Sequence, residues 1–85
     1  MTEIKYVIKD ELGLHARPAG LLVKEAANYP CNITIGKDGK DVDAKRIIGI
    51  MSLGVKCGNE ITLKCDGENE AEAAANLAKF LEENL

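Results

Sequence analysis

Four stretches of this chain alternate apolar and polar residues with a period of two, and that pattern constrains the fold more than any other feature. Ile4, Tyr6 and Ile8 share one side of the segment from Glu3 to Ile8, with Lys5 on the other. Cys31, Ile33 and Ile35 share a side between Cys31 and Lys37, opposite Asn32 and Thr34. Val42 is the inward residue of the short run from Lys40 to Asp43. Ile61, Leu63 and Cys65 line one side from Glu60 to Cys65, opposite Thr62 and Lys64. Successive side chains leave a strand on opposite faces, so each stretch predicts a strand buried on one side only. Together they predict a sheet with one wet face and one face that must be covered.

The remaining apolar residues recur at helical spacing and supply the cover. Ala19, Leu22, Val23 and Ala26 form one face of a helix predicted over Ala16 to Asn28, which Tyr29-Pro30 then ends. A second helix, from Glu70 to about Glu83, turns Ala73, Ala74, Leu77, Ala78, Phe80 and Leu81 inward. Asn69 followed by Glu72 resembles a capping box at its start. Asp38-Gly39, between two alternating runs, predicts a tight hairpin turn in which both residues take positive φ.

The segment from Ala44 to Leu53 fits this scheme less simply. Ile47, Ile48, Ile50, Met51 and Leu53 cover too much circumference for one buried stripe, and Gly54 supplies the stop. Either all five are core, or Ile50 and Leu53 face inward while Ile47, Ile48 and Met51 are at least partly exposed. A chain of 85 residues has little depth to spare, which favours the second arrangement and makes the outer face a candidate interaction site. The order βαββαβα predicts a two-layer α/β open sandwich, with residues 1–85 forming a single domain.

Charge and composition narrow the partners. The net charge of −3 argues against nucleic acid, whose binding needs a clustered basic surface. No apolar run approaches the roughly 20 residues of a membrane span. Residues 1–6 enter a strand pattern directly, without the apolar region of a signal peptide, so membrane insertion is not expected and a cytoplasmic location is. Cys31, Cys57 and Cys65 are odd in number and form no metal-ligand spacing, so no metal site or cofactor is expected. Cys31 and Cys65 lie in phase with apolar strand faces, whereas Cys57 falls in a loop.

The chemistry concentrates in Gly13-Leu14-His15-Ala16-Arg17-Pro18-Ala19. It holds the only histidine, one of two arginines and one of two prolines. Proline is tolerated in the first helical turn, so Pro18 places a helix start near Ala16. His15 then sits just outside that start, near unpaired backbone N–H groups and the positive end of the helix dipole. Such a histidine could simply cap the helix or fill a loop. Gly13 and Leu14 anchoring its approach, and Arg17 reaching the same small volume, point instead to a nucleophilic imidazole that accepts a phosphoryl group. There is no glycine-rich nucleotide loop, no second histidine and no carboxylate cluster for magnesium, which argues against a hydrolase or a kinase. Asp10 and Glu11 read as a solvated turn.

Together with Ile48-Gly49-Ile50-Met51-Ser52-Leu53-Gly54, this motif makes the whole chain resemble the HPr family, the histidine-containing phosphocarriers of the bacterial phosphoenolpyruvate:sugar phosphotransferase system. The resemblance implies a four-stranded antiparallel sheet with three helices on one face. It implies that His15 accepts phosphate through Nδ1 from enzyme I and donates it to the IIA domain of a sugar permease. Arg17 would neutralise the phosphoryl charge, with Ala16 and Pro18 forming the helix N-terminus at the phosphoryl site. The docking face would comprise Ile47, Ile48 and Met51, with Ala16 and Gly20. The protein would be a covalent intermediate in a relay rather than a stand-alone catalyst, and a monomer, since one face must dock two partners.

Two positions depart from the family. A serine that is a regulatory kinase target in many relatives is replaced here by Arg46, and Ser52 does not inherit that role. Leu12 stands where the family usually has a polar residue. Two alternatives stay open: a regulatory or interaction module of the same fold, and a phosphocarrier for a related nitrogen or dihydroxyacetone system.

Overall fold

In the computed structural model, which describes residues 1–85, the alternating segments become four strands of one sheet: β1 (Thr2–Val7), β2 (Asn32–Lys37), β3 (Lys40–Asp43) and β4 (Glu60–Asp66). Their spatial order is β1-β4-β2-β3, and every neighbouring pair is antiparallel. The register follows the apolar pattern. Ile4, Leu63, Ile35 and Val42 line up as one row across all four strands. A slip of one residue would turn that row to solvent, so burial itself holds the register. On the opposite face, Lys5, Thr62, Gly36 and Asp41 form the matching row, and Lys64 reaches Asp41 at 3.2 Å. The β2–β3 connection is the expected two-residue turn, with Asp38 at φ 52° and Gly39 at φ 84°.

Three helices cover the apolar face: α1 (Ala16–Ala26), α2 (Ile47–Ser52) and α3 (Glu70–Asn84). α1 buries Pro18, Ala19, Leu22 and Ala26, and α3 buries Ala73, Ala74, Leu77 and Leu81. These meet Ile33, Ile35, Ile61 and Leu63 of the sheet in one core. Each fully buried Leu or Ile contributes about 1.5–3 kcal/mol relative to exposure. Cys31 and Cys65 are free thiols within this core. Burial, and secondarily the neighbouring Cys31, push the Cys65 thiol up to about 11, so it packs as a protonated hydrophobe.

Several local expectations are corrected. Ile4 and Tyr6, on an edge strand, and Val23, Ala78 and Phe80, on helix flanks, are only half-buried. α1 is helical only to Ala26, and Ala27 and Asn28 form a turn. α2 begins at Ile47 rather than Ala44, because the residues before it are committed elsewhere. The Ala44 N–H donates to the Ile33 carbonyl at 2.9 Å, and the Lys45 N–H donates to Asp43 Oδ1 at 2.9 Å. Lys45 Nζ donates to the carbonyls of Tyr29 and Cys31 at 2.7 and 2.8 Å. Asn69 does not cap α3: it sits at φ 62°, outside the extended region a capping residue needs, and its side chain makes no cap bond. Glu70 ties that end down instead, accepting from the Met1 amino group, the Thr2 hydroxyl and the Gly67 N–H.

Candidate functional site

His15 owes its position to a loop held from three directions. The N–H groups of Lys9 and Asp10 both donate to the carbonyl of Leu85, at 2.7 and 2.9 Å. The Asp10 carboxylate turns back on its own loop, Oδ1 accepting the Leu12 N–H at 2.9 Å, and its carbonyl accepts the Gly13 N–H at 2.9 Å. Gly13 takes φ +69°, in the left-handed region where only glycine is unstrained. The buried Leu14 then donates its N–H to the Val55 carbonyl at 3.1 Å. Three separate parts of the chain therefore converge before His15 is reached.

His15 is the N-cap residue of α1, at φ −87°, ψ −175°, and its side chain makes no capping bond. Its carbonyl accepts the first helical hydrogen bond, from the Ala19 N–H at 2.9 Å. Pro18, buried at the third helical position, has no N–H to satisfy. The N–H groups of Ala16 and Arg17 have no acceptor within the protein, and the first turn carries no acidic residue. An anion at this helix end meets open donors and the positive end of the helix dipole, worth about 0.3–1 kcal/mol in an exposed setting. The Arg17 side chain is exposed and makes no ion pair, so its guanidinium is free to meet that anion.

The imidazole has one charged neighbour. Nε2 lies 3.7 Å from Asp10 Oδ2. Asp10, His15, Arg17, Pro18, Leu21 and Asn84 line one shallow depression. Reading Asp10 as a solvated turn therefore captured half of its role: it makes the turn and also faces the histidine. Leu21 and Asn84 were likewise not singled out from sequence. For Leu21 a signal existed, since it lies four residues after Arg17 and so on the same helical face.

The three apolar residues expected to be exposed on α2 are exposed: Ile47, Ile48 and Met51, with Ile48 the most open at 82%. Ile50 and Leu53 are buried, as that arrangement requires. Gly20 is half-buried in the seam between α1 and α2, where a Cβ would stand 3.8 Å from Ile47 Cδ1. Ala16 and Leu21 extend the exposed surface from α1, and Leu12 projects at 73% exposure. Lys37 fastens the end of α2, its Nζ donating to the carbonyls of Leu53 and Gly54 at 3.4 and 3.1 Å. Arg46 is the N-cap residue of α2, with no side-chain cap and only a loose 3.7 Å approach to Asp43. The Ser52 hydroxyl donates to the Gly49 carbonyl at 2.6 Å.

Comparison with known proteins adds to this geometry. Residues 2–83 match the family model described as the PTS HPr component phosphorylation site. The chain is 44% identical over 85 residues to the HPr-like protein Crh of Bacillus subtilis, covering all of both chains. Its structure is similar to that of HPr from Thermoanaerobacter tengcongensis, with a TM-score of 0.94 at 45% identity, covering 99% of this chain and 94% of the other. It is also similar to a crystal structure of Bacillus subtilis Crh, described as a domain-swapped, intertwined dimer, with a TM-score of 0.78 at 44% identity over 100% and 98% of the two chains.

Proposed function

The chain belongs to the PTS HPr family, and from that premise we propose that residues 1–85 act as one phosphocarrier unit of the phosphoenolpyruvate-dependent sugar phosphotransferase system. His15 takes a phosphoryl group from enzyme I and passes it to the IIA domains of sugar permeases. The observation that carries this reading is His15 at the N-cap of α1, with the open N–H groups of Ala16 and Arg17 and an unpaired guanidinium beside it.

The Nδ1 lone pair attacks phosphorus as the donor's N–P bond breaks, and the donor nitrogen keeps that electron pair. The helix N–H groups and Arg17 then hold the phosphoryl oxygens. Their modest strength suits a carrier, because a tightly held group would not be passed on. Ile47, Ile48 and Met51, with Ala16 and Gly20, dock each partner so that its reacting group meets His15. The protein is thus a covalent intermediate in a relay and not a catalyst on its own, and it works as a cytoplasmic monomer. Elution as a dimer at micromolar concentration would refute the monomer.

A second reading is a regulatory module that works by docking, favoured by the likeness to Crh, described in one structure as the Bacillus subtilis catabolite repression HPr. Arg46 offers no hydroxyl for phosphorylation, and the presence of both His15 and Arg17 supports transfer. The two readings separate on mixing the protein with enzyme I, magnesium and phosphoenolpyruvate. Transfer gives an acid-labile, base-stable phosphate that His15→Ala abolishes. No phosphorylation, or a phosphate that survives His15→Ala, overturns the carrier reading.

A further inference from the structure

One ring nitrogen of His15 has a carboxylate near it. Nε2 lies 3.7 Å from Asp10 Oδ2. Asp10 is itself fixed, with its N–H donating to the Leu85 carbonyl and its Oδ1 accepting the Leu12 N–H. The Asx turn occupies Oδ1 and thereby sets the plane of the carboxylate, leaving Oδ2 as the oxygen that faces the ring. We propose that Asp10 is a positioning residue for His15: it holds the neutral imidazole as the Nε2–H tautomer, which places the reactive lone pair on Nδ1. The inference rests on the phosphocarrier reading and deepens it.

The chemistry follows from which nitrogen holds the proton. A neutral imidazole has one N–H and one lone pair, and the partner of one nitrogen decides the state of the other. A carboxylate can only accept, so the nitrogen facing it is the one that carries the proton. At 3.7 Å the contact is longer than a hydrogen bond, and holding the tautomer requires the ring and the carboxylate to close that gap. Catalytic contacts are often long in the resting state and tighten during reaction. On transfer, the Nδ1–P bond forms as the donor's bond to phosphorus breaks, the donor keeps that electron pair, and the Nε2 proton stays in place. The phosphorylated ring then carries an N–H towards Asp10, whose charge steadies it. Arg17 and Asn84 line the same depression, and neither makes an ion pair or hydrogen bond with Asp10.

Asp10→Asn tests this without removing the turn. Its carbonyl oxygen still accepts the Leu12 N–H, but an NH2 group now faces Nε2, which favours the lone pair there and the proton on Nδ1. Side-chain nitrogen NMR shifts of the unphosphorylated protein, read where the ring is neutral, are expected to move toward the Nδ1–H tautomer. The rate of phosphorylation by enzyme I is expected to fall about fivefold, the scale of one partly exposed ion pair. Asp10→Ala loses the turn as well and is expected to be at least as slow. An Asp10→Asn variant with wild-type ring shifts and a wild-type rate, alongside a slow Asp10→Ala, would show that only the turn matters and overturn the proposal. The tautomer is measured without phosphate, so a chain that accepts no phosphoryl group would refute the carrier reading, while the ring shifts still decide the role of Asp10.

Discussion

Gly13→Ala would place a methyl group where the loop leading to His15 leaves no room. The magnitude has two parts. First, φ at this position is +69°, and forcing an L-residue into the left-handed region costs about 1–2 kcal/mol. Second, the new Cβ would stand 2.5 Å from the Val55 carbonyl oxygen and 2.7 Å from Lys56 Cα. Both are backbone atoms, so neither can swing aside as a flexible side chain would. Overpacking of this kind costs about 1–3 kcal/mol, and easing it by separation would break the bond from the Leu14 N–H to the Val55 carbonyl. The sum is about 2–5 kcal/mol. A chain of this length has a total stability of roughly 4–13 kcal/mol.

Urea denaturation measures the loss, expected as a fall of about 1–2.5 M in the midpoint at a slope of about 2 kcal/mol/M. Gly54→Ala is the matched control. It has φ +61°, but a Cβ there would meet nothing within 4 Å, so only the conformational part of about 1–2 kcal/mol applies. Phosphorylation of the folded Gly13→Ala protein is expected to fall by roughly 10- to 100-fold, because a shift of about 1 Å at the reacting ring is costly. A Gly13→Ala variant no less stable than Gly54→Ala, with an unchanged rate, would refute the claim that the close approach to Val55 and Lys56 positions the histidine.

Other perturbations separate stability from docking. Hydrogen bonds from the Met1 amino group, then the Thr2 hydroxyl and the Gly67 N–H, hold Glu70 down at about 2 from an ordinary 4.5. Its contribution is therefore full above about pH 4.5, as long as the Met1 amino group stays charged, and lost as pH falls through about 2, so the stability gap between wild type and Glu70→Gln, from urea midpoints, is expected to shrink steadily across that window. Ile48→Ser is expected to leave the unfolding free energy from urea denaturation within about 0.5 kcal/mol of wild type, because the side chain is exposed. It should weaken enzyme I binding by roughly tenfold or more in calorimetry, the scale of one buried isoleucine. Arg46→Ser is expected to weaken binding to an acidic partner by a few-fold at low salt, with the difference vanishing near 1 M as exposed charges are screened. An unchanged salt dependence would remove Arg46 from the docking face.

The sheet and the exposed apolar face of α2 were legible because their signals are local. Period-two alternation at Ile33 and Ile35, or at Ile61 and Leu63, needs no knowledge of the partner strand to say which side is buried. The excess of apolar residues from Ile47 to Leu53 likewise implied that some must be exposed, and Ile48 is. At Asn69 and at the start of α2, where an expectation failed, a longer-range contact had prevailed. The capping box at Asn69 gave way because Glu70 is drawn to Thr2 and the Met1 amino group, some 68 residues away in the chain. The start of α2 moved to Ile47 because Ala44 is bonded to Ile33 and Lys45 spans back to Tyr29 and Cys31.

The same distinction explains why His15 stood out and Asp10 did not. A histidine before a proline-marked helix start carries its meaning in adjacent residues. The meaning of Asp10 depends on where the loop is held, and the atoms that hold it come from the far end of α3 and from the segment after α2. If Leu85 did not accept from Lys9 and Asp10, or if Val55 did not accept from Leu14, the carboxylate and the imidazole would be two exposed groups in a flexible turn. The candidate site is therefore a property of the closed fold: α1 supplies open N–H donors and Arg17, while the loop brings the Asp10 carboxylate near the ring. Damage to the Leu85 or Val55 contacts should then slow transfer without touching any residue that meets phosphate, and this is the behaviour that Gly13→Ala is designed to expose.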